Sequence, residues 1–229
     1  MPVIRLLFAS AAALGMLTAA PAGAQSVQQT SELYHIFDFR TDAPKRDVIA
    51  AADAGLRNNT NDRNATTPIV MGPPPATPAR FRIVDPWATG QLGGLAALVG
   101  AAQMTQFKQV TCDGAVWVAN AVRQVRRSQT LRLTLCLFPY AGGYQLDVYG
   151  VDVQQKGGGL SERLGRALGK RLVGDMSGWT NKTILDVVRS VRTRTGARVA
   201  YVEGQPEFNG EPWLDERKVM PSRAEKEAR

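Results

Sequence analysis

Residues 131–138 read Leu-Arg-Leu-Thr-Leu-Cys-Leu-Phe, and residues 144–153 read Tyr-Gln-Leu-Asp-Val-Tyr-Gly-Val-Asp-Val. Successive side chains of a strand project to opposite faces. Leu131, Leu133, Leu135 and Leu137 therefore share one face, and Arg132, Thr134, Cys136 and Phe138 share the other. In the second stretch Leu146 and Val148 take one face while Tyr149, Val151 and Val153 take its opposite. Pro139-Tyr140-Ala141-Gly142-Gly143 joins the two with turn residues, and the whole reads as an antiparallel hairpin.

Helical signals flank this hairpin. Gly157-Gly158-Gly159 ends it, and Ser161 opens a helix with Leu160, Leu164, Ala167, Leu168 and Leu172 along one stripe. Arg163, Arg166, Lys170 and Arg171 cover its other sides. After Gly174-Asp175-Met176-Ser177-Gly178, Thr180 is placed to N-cap a helix whose core face holds Ile184, Val187, Val188 and Val191. Arg189, Arg192 and Arg194 follow, Gly196 closes the helix, and Arg198–Glu203 reads as the last strand. Upstream, Asp113 is read as an N-cap before Ala115, Val118, Ala119, Val122 and Val125, which recur at helical spacing. Arg123, Arg126 and Arg127 then fall in that helix's last turn. Phe81–Val84 and Phe107–Thr111 read as short strands, with the apolar run inside 87–103 as a buried helix between them.

These elements predict an α+β domain over residues 80–205, a small antiparallel sheet centred on the 131–153 hairpin and packed by helices. Residues 25–79 read as an extended, Pro-rich N-terminal arm or linker. Within the arm, Leu33–Arg40 reads as a short strand or docking segment and Asp47–Leu56 as a short helix. The polar run Asn58–Asn64 and Pro68, Pro73-Pro74-Pro75 and Pro78 offer little apolar surface to bury. Residues 206–229 read as a charged tail, broken by Pro206, Gly210 and Pro212.

Residues 1–24 have the form of a signal peptide: Arg5, then the apolar run from Leu6 to Leu17, then Pro21 and the small-residue site Ala22-Gly23-Ala24. The run is too short and too rich in Ala for a membrane anchor. The expected location is periplasmic or secreted, with no transmembrane segment in the mature chain. In such an oxidising compartment Cys112 and Cys136, the only two cysteines, are expected to form a disulfide. Cys136 lies opposite the leucines, so Cys112 must reach that face.

Searches for chemistry return little. One histidine, His35, excludes multi-histidine metal sites and HExxH, and no GxSxG accompanies it; it reads as a strand histidine. Gly165–Arg171 lacks the spacing and the Ser or Thr of a phosphate loop. Glu203, Glu207 and Glu211 recur every four residues, but the intervening Gly and Pro residues forbid a shared helical face. Asp147 and Asp152 differ in parity along their strand and read as surface groups. No catalytic residue, metal ligand or cofactor is assigned. The formal net charge of +8 favours anionic surfaces. The candidate anion-binding residues are Arg123, Arg126, Arg127, Arg163, Arg166, Lys170, Arg171, Arg189, Arg192 and Arg194. They form one cationic surface if their helices share a layer. Interleaved exposed aromatics are missing, which argues against nucleic acid.

The resulting expectation is a non-enzymatic periplasmic envelope protein that binds a protein partner, as an accessory of a secretion, conjugation or outer-membrane assembly apparatus. The alternatives are a carboxylate-based cell-wall or glycan hydrolase and a binder of an anionic polymer or lipid. The leader generates a direct test. Intact-mass analysis of exported protein should give a chain beginning near Gln25, and retention of Arg5 would refute the leader.

Overall fold

The structure is a computed structural model and describes residues 27–60, 62–85, 108–125, 129–156 and 176–214. The described elements run β1 (Val27–Arg40), α1 (Lys45–Arg57), β2 (Arg63–Thr66), β3 (Arg82–Val84), β4 (Gln109–Thr111) and β5 (Trp117–Val125). β6 (Gln129–Tyr140), β7 (Gly143–Lys156), α2 (Met176–Thr195), β8 (Arg198–Gln205) and a 3-10 turn at Pro212–Leu214 complete them. The signal-peptide reading of residues 1–24, the helices expected within 87–103 and 160–172, and residues 215–229 of the tail expected over 206–229 lie outside the described residues.

The hairpin forms as its alternation predicts. β6 pairs with β7 antiparallel from Gln129↔Gln154 to Tyr140↔Gly143, and Ala141-Gly142 makes the turn. Gly143 has φ of 144° and its Cβ position lies 2.0 Å from the Phe39 carbonyl oxygen, so a side chain there is excluded. The hairpin sits inside a six-stranded sheet of order β2-β5-β6-β7-β1-β8 with antiparallel pairing throughout. The fold is α+β.

The leucine face is the core. Leu131, Leu133, Leu135 and Leu137 are buried together with Leu146, Val148, Phe37 and Phe39 beneath α1 and α2. α1 contributes Val48, Ala51, Ala52 and Leu56; α2 contributes Ile184, Val187, Val188 and Val191. The helices touch closely at Gly55, whose Cβ position lies 2.6 Å from both the Asp186 carbonyl oxygen and Val187 Cα. Ser190 donates to the Ala51 carbonyl at 2.6 Å. Asn59 ties the end of α1 to α2: its amide donates to Asp186 Oδ2 at 2.9 Å, and Lys182 Nζ donates to Asn59 Oδ1 at 2.7 Å. Gly196, at φ 66°, ends α2 in the left-handed conformation that glycine tolerates.

Three sequence expectations are corrected. Residues 117–125 are a strand and not a helix. Trp117, Ala119 and Ala121 are the buried positions, a period of two, while Val118 and Val122 are half-buried on the opposite face. Val118 and Val122 alternate with Asn120 and Gln124 on the second face, so apolar residues fall at helical spacing while the β-branched ones follow their strand preference. Asp113 is consequently no N-cap; it precedes Gly114 at φ 86° in a turn and pairs with Arg82. The compact fold does not begin near Arg80. β1 lies between β7 and β8, and α1 is part of the core, so the extended reading of 25–79 fails where burial is greatest. Residues 67–81 carry no helix or strand. Third, α2 starts at Met176, ahead of the expected cap Thr180, which is buried within the helix.

Cys112 and Cys136 are bonded, with Cα atoms 5.7 Å apart. The bond forms on the face opposite the leucines because β3 and β4 pair as a two-stranded ribbon over that face, delivering Cys112 immediately after β4. Closing this loop removes roughly 3 kcal/mol of unfolded-state entropy on the chain-entropy account. No helix among the described residues is long and apolar enough to cross a membrane.

The close approach at Gly55 predicts that Gly55→Ala destabilises the fold. Overpacking two helices costs about 1–3 kcal/mol, which outweighs the intrinsic helix gain of roughly 1 kcal/mol over Gly. Urea denaturation of the variant should show a lower midpoint; an unchanged or higher midpoint would show that α1 and α2 do not meet there.

Candidate functional site

The sheet's second face holds a buried carboxylate. Asp147, in the middle of β7, is 0% exposed. It lies beneath residues 79–81: Phe81 N–H donates to Asp147 Oδ2 at 3.0 Å, and Gln145 Nε2 donates to Oδ1 at 2.8 Å. The same Gln145 amide reaches the Ala79 carbonyl at 3.3 Å. Phe81 completes the cover, with its ring 6.0 Å from Tyr149 and 6.5 Å from Tyr34. Burial raises the Asp147 pKa to about 6 against the opposing pull of its two hydrogen bonds and of Arg80. Arg80 pairs in turn with Glu203 on β8. Asp147 is thus not the surface group that parity alone suggested; the cover from residues 79–81 was invisible to a reading of β7 by itself.

Such a carboxylate has the proton affinity of a general acid. It does not have the access, because both oxygens are occupied and the group is sealed from solvent. Glu32 nearby accepts from Tyr149 Oη at 2.6 Å and Lys108 Nζ at 2.7 Å, which fastens the start of β4 to β1. Burial, then the Glu32 hydrogen bond, raises the Tyr149 pKa.

His35 lies on the opposite, helix-facing side of the sheet. It is fully buried, stacked on Phe208 at 4.3 Å, with Nδ1 3.0 Å from Tyr201 Oη. Gly204 leaves room for that pair, since its Cβ position lies 2.5 Å from His35 Nδ1. Burial lowers the His35 pKa to about 4, so the ring is neutral at physiological pH. Trp213 is buried against Phe37 and Tyr201 and Phe208 packs on the same cluster, so residues 206–214 are part of the core wall and not the start of a charged tail.

An open cavity of about 610 Å³ occupies a different corner, where the first half of α1, β2 and the start of the Pro-rich stretch meet. Its apolar lining includes Ile49, Ala65, Ile69, Val116 and Trp117. Its charged lining is Lys45, Arg46, Arg63 and Asp53. Asp53 is shared between Arg63 at 2.6 Å and Arg57 at 2.5 Å. Ile69, at the cavity's mouth, is 89% exposed, and Met71, just beyond it, is 86% exposed. Composition alone hid this site: the Pro-rich run was legible, but its apolar residues gained meaning only beside α1.

The candidate anion-binding residues separate. Arg123 is on β5 and stacks over the Trp179 ring at 4.8 Å, where desolvation lowers its pKa. Arg189 points inward, donating to the Pro212 carbonyl at 2.6 Å and to Asp186 at 3.3 Å. Arg192 is half-buried and Arg194 exposed. Arg126, Arg127, Arg163, Arg166, Lys170 and Arg171 lie outside the described residues. Among those described, no single cationic helical surface is assembled. Among the described residues no group of acidic, His and Cys side chains could hold a metal ion.

Asp147 and His35 set opposing pH dependences. Asp147 holds its proton more tightly folded than unfolded, so its contribution to stability falls as pH rises from about 4 to about 6. His35 holds its proton less tightly folded, so its contribution falls as pH drops from 6.5 to about 4. Asp147→Asn should remove only the first. Unfolding free energies from urea titrations between pH 4 and 6.5 should then fall on acidification more steeply than in wild type, by up to about 1.4 kcal/mol per pH unit. Parallel profiles would show that Asp147 is not buried as described.

No protein-family model matches this chain, and no curated protein matches it.

Proposed function

We propose that this chain is a non-enzymatic protein of the bacterial periplasm or cell exterior that binds a protein partner, as an accessory of a secretion, conjugation or outer-membrane assembly apparatus. The observation that carries the binding role is the pair Ile69 and Met71. Two large apolar side chains stand almost wholly in solvent on a stretch with several prolines, next to an open cavity. Isolated exposed apolar residues are ordinary on protein surfaces, but two on one short stretch beside a concave apolar floor are a contact surface. Pro68, Pro73, Pro74 and Pro75 restrict the backbone around them, which reduces the entropy lost when a partner orders the stretch. Export is supported by the leader-like start and by the Cys112–Cys136 bond, which suits an oxidising compartment.

The hydrolase alternative has less support. Its best acid, Asp147, is sealed beneath Phe81, and Glu203 is engaged by Arg80.

Photocrosslinking tests the binding role. A benzophenone side chain replacing Met71, in the full chain expressed in its own host, should give one discrete adduct with an envelope protein on irradiation. Ile69→Asp should abolish that adduct, and the same probe replacing exposed Arg132 should not give it. Absence of an adduct at Met71, or an identical pattern from Arg132, would overturn the assignment.

A further inference from the structure

We infer that the cavity between α1, β2 and residues 67–69 receives an acidic segment of the partner protein carrying one apolar anchor side chain; this rests on the partner-binding role proposed above. Charge is the first argument. Lys45, Arg46 and Arg63 face the cavity against one carboxylate, Asp53, which Arg57 and Arg63 already share. Lys45 makes no ion pair among the described residues, and Arg46 touches only the neighbouring, half-exposed Asp47 at 3.3 Å. The mouth is therefore positive and incompletely neutralised.

Shape is the second argument. Buried Trp117 and Val116 and half-buried Ile49 line its inner side, while exposed Lys45, Arg46 and Ile69 stand at its mouth, so the cavity is apolar within and cationic at its rim. About 610 Å³ falls within the range of roughly 300–1,000 Å³ typical of specific binding pockets. A peptide that drops one Leu, Phe or Trp into the cavity and lays Asp or Glu along its rim satisfies both features. The rim carboxylates then meet cations beside a low-dielectric floor, where ion pairs are stronger than at a flat surface.

Other occupants fit less well. The chain's own tail, residues 215–229, holds five cations, Arg217, Lys218, Arg223, Lys226 and Arg229, against four acids, Asp215, Glu216, Glu225 and Glu227. It brings no net negative charge to the site. A second copy carries the same formal charge of +8 and is repelled at long range. A polyanion or a lipid surface calls for an extended run of unpaired cations. Among the described residues Arg123 is spent on Trp179, Arg189 on Asp186 and Pro212, and Arg57 on Asp53.

Selection of random twelve-residue peptides displayed on phage against the immobilised full mature protein tests the inference. Enriched peptides should combine an aliphatic or aromatic residue with two or more flanking acids. A synthetic member should bind the wild-type chain at least ten times more tightly than Lys45→Glu/Arg46→Glu, and weaken with added salt. Both substitutions fall on exposed side chains, and unchanged thermal unfolding of the variant confirms that only the rim is altered. Three outcomes would overturn the inference: no enrichment, enrichment of neutral or basic peptides, or acidic peptides indifferent to the charge reversal. Binding to phosphatidylglycerol vesicles that the reversal abolishes, without selective peptide binding, would assign the site to lipid and also overturn it. A Met71 adduct that survives in Lys45→Glu/Arg46→Glu, with no acidic peptide selected, would leave the partner-binding role standing while this inference falls.

Discussion

The antiparallel ladder between β1 and β7 is the constraint on which the rest of the molecule depends. It runs for fourteen residue pairs, from Val27↔Lys156 to Arg40↔Gly143. Without it the hairpin would have a bare edge, and β1 would have nowhere to bury Phe37 and Phe39. With it, β8 can add outside β1, α1 is delivered onto the leucine face, and α2 has a partner to pack against. The ladder joins two distant parts of the chain. A fold closed by such a contact incurs a large loop-closure cost before the burial that offsets it.

The same ladder explains what could and could not be read from the sequence. Strict alternation in Leu131–Phe138 was enough to predict the hairpin, because a leucine at every second position has no competing helical interpretation. α2 was equally legible from Ile184, Val187, Val188 and Val191, and its end from Gly196. Trp117–Val125 was not, since small and β-branched apolar residues on both faces fit either period. Leu33–Arg40 was legible as a strand but not as a central one; its position depends on pairings with β7 and β8 that local sequence does not encode. The disulfide followed from compartment and count, and its geometric difficulty vanished once the β3–β4 ribbon lay over Cys136.

The candidate site was less legible than the fold. Its cations, Lys45, Arg46 and Arg63, lie on α1 and β2, inside a segment whose composition suggested an extended arm. Of the ten residues that looked cationic, Arg123 and Arg189 are engaged with Trp179 and with Asp186 and Pro212, and six lie outside the described residues. Charge density along a chain is a one-dimensional quantity; availability of charge is decided by neighbours in space. The reverse holds for Asp147, which looked available and is enclosed by Phe81 and Gln145.

The bond between Cys112 and Cys136 has a mechanical consequence. The chain leaves β3 at Val84 and returns at Gln109, so whatever acts on the intervening stretch acts on the β3–β4 ribbon. At the return side that ribbon is joined covalently to β6, at the centre of the sheet, one residue beyond Thr111. A displacement of β4 is therefore passed to a central strand of the sheet through a covalent bond and not only through ribbon hydrogen bonds. The disulfide makes a ribbon of three residue pairs a covalently fixed part of the main sheet.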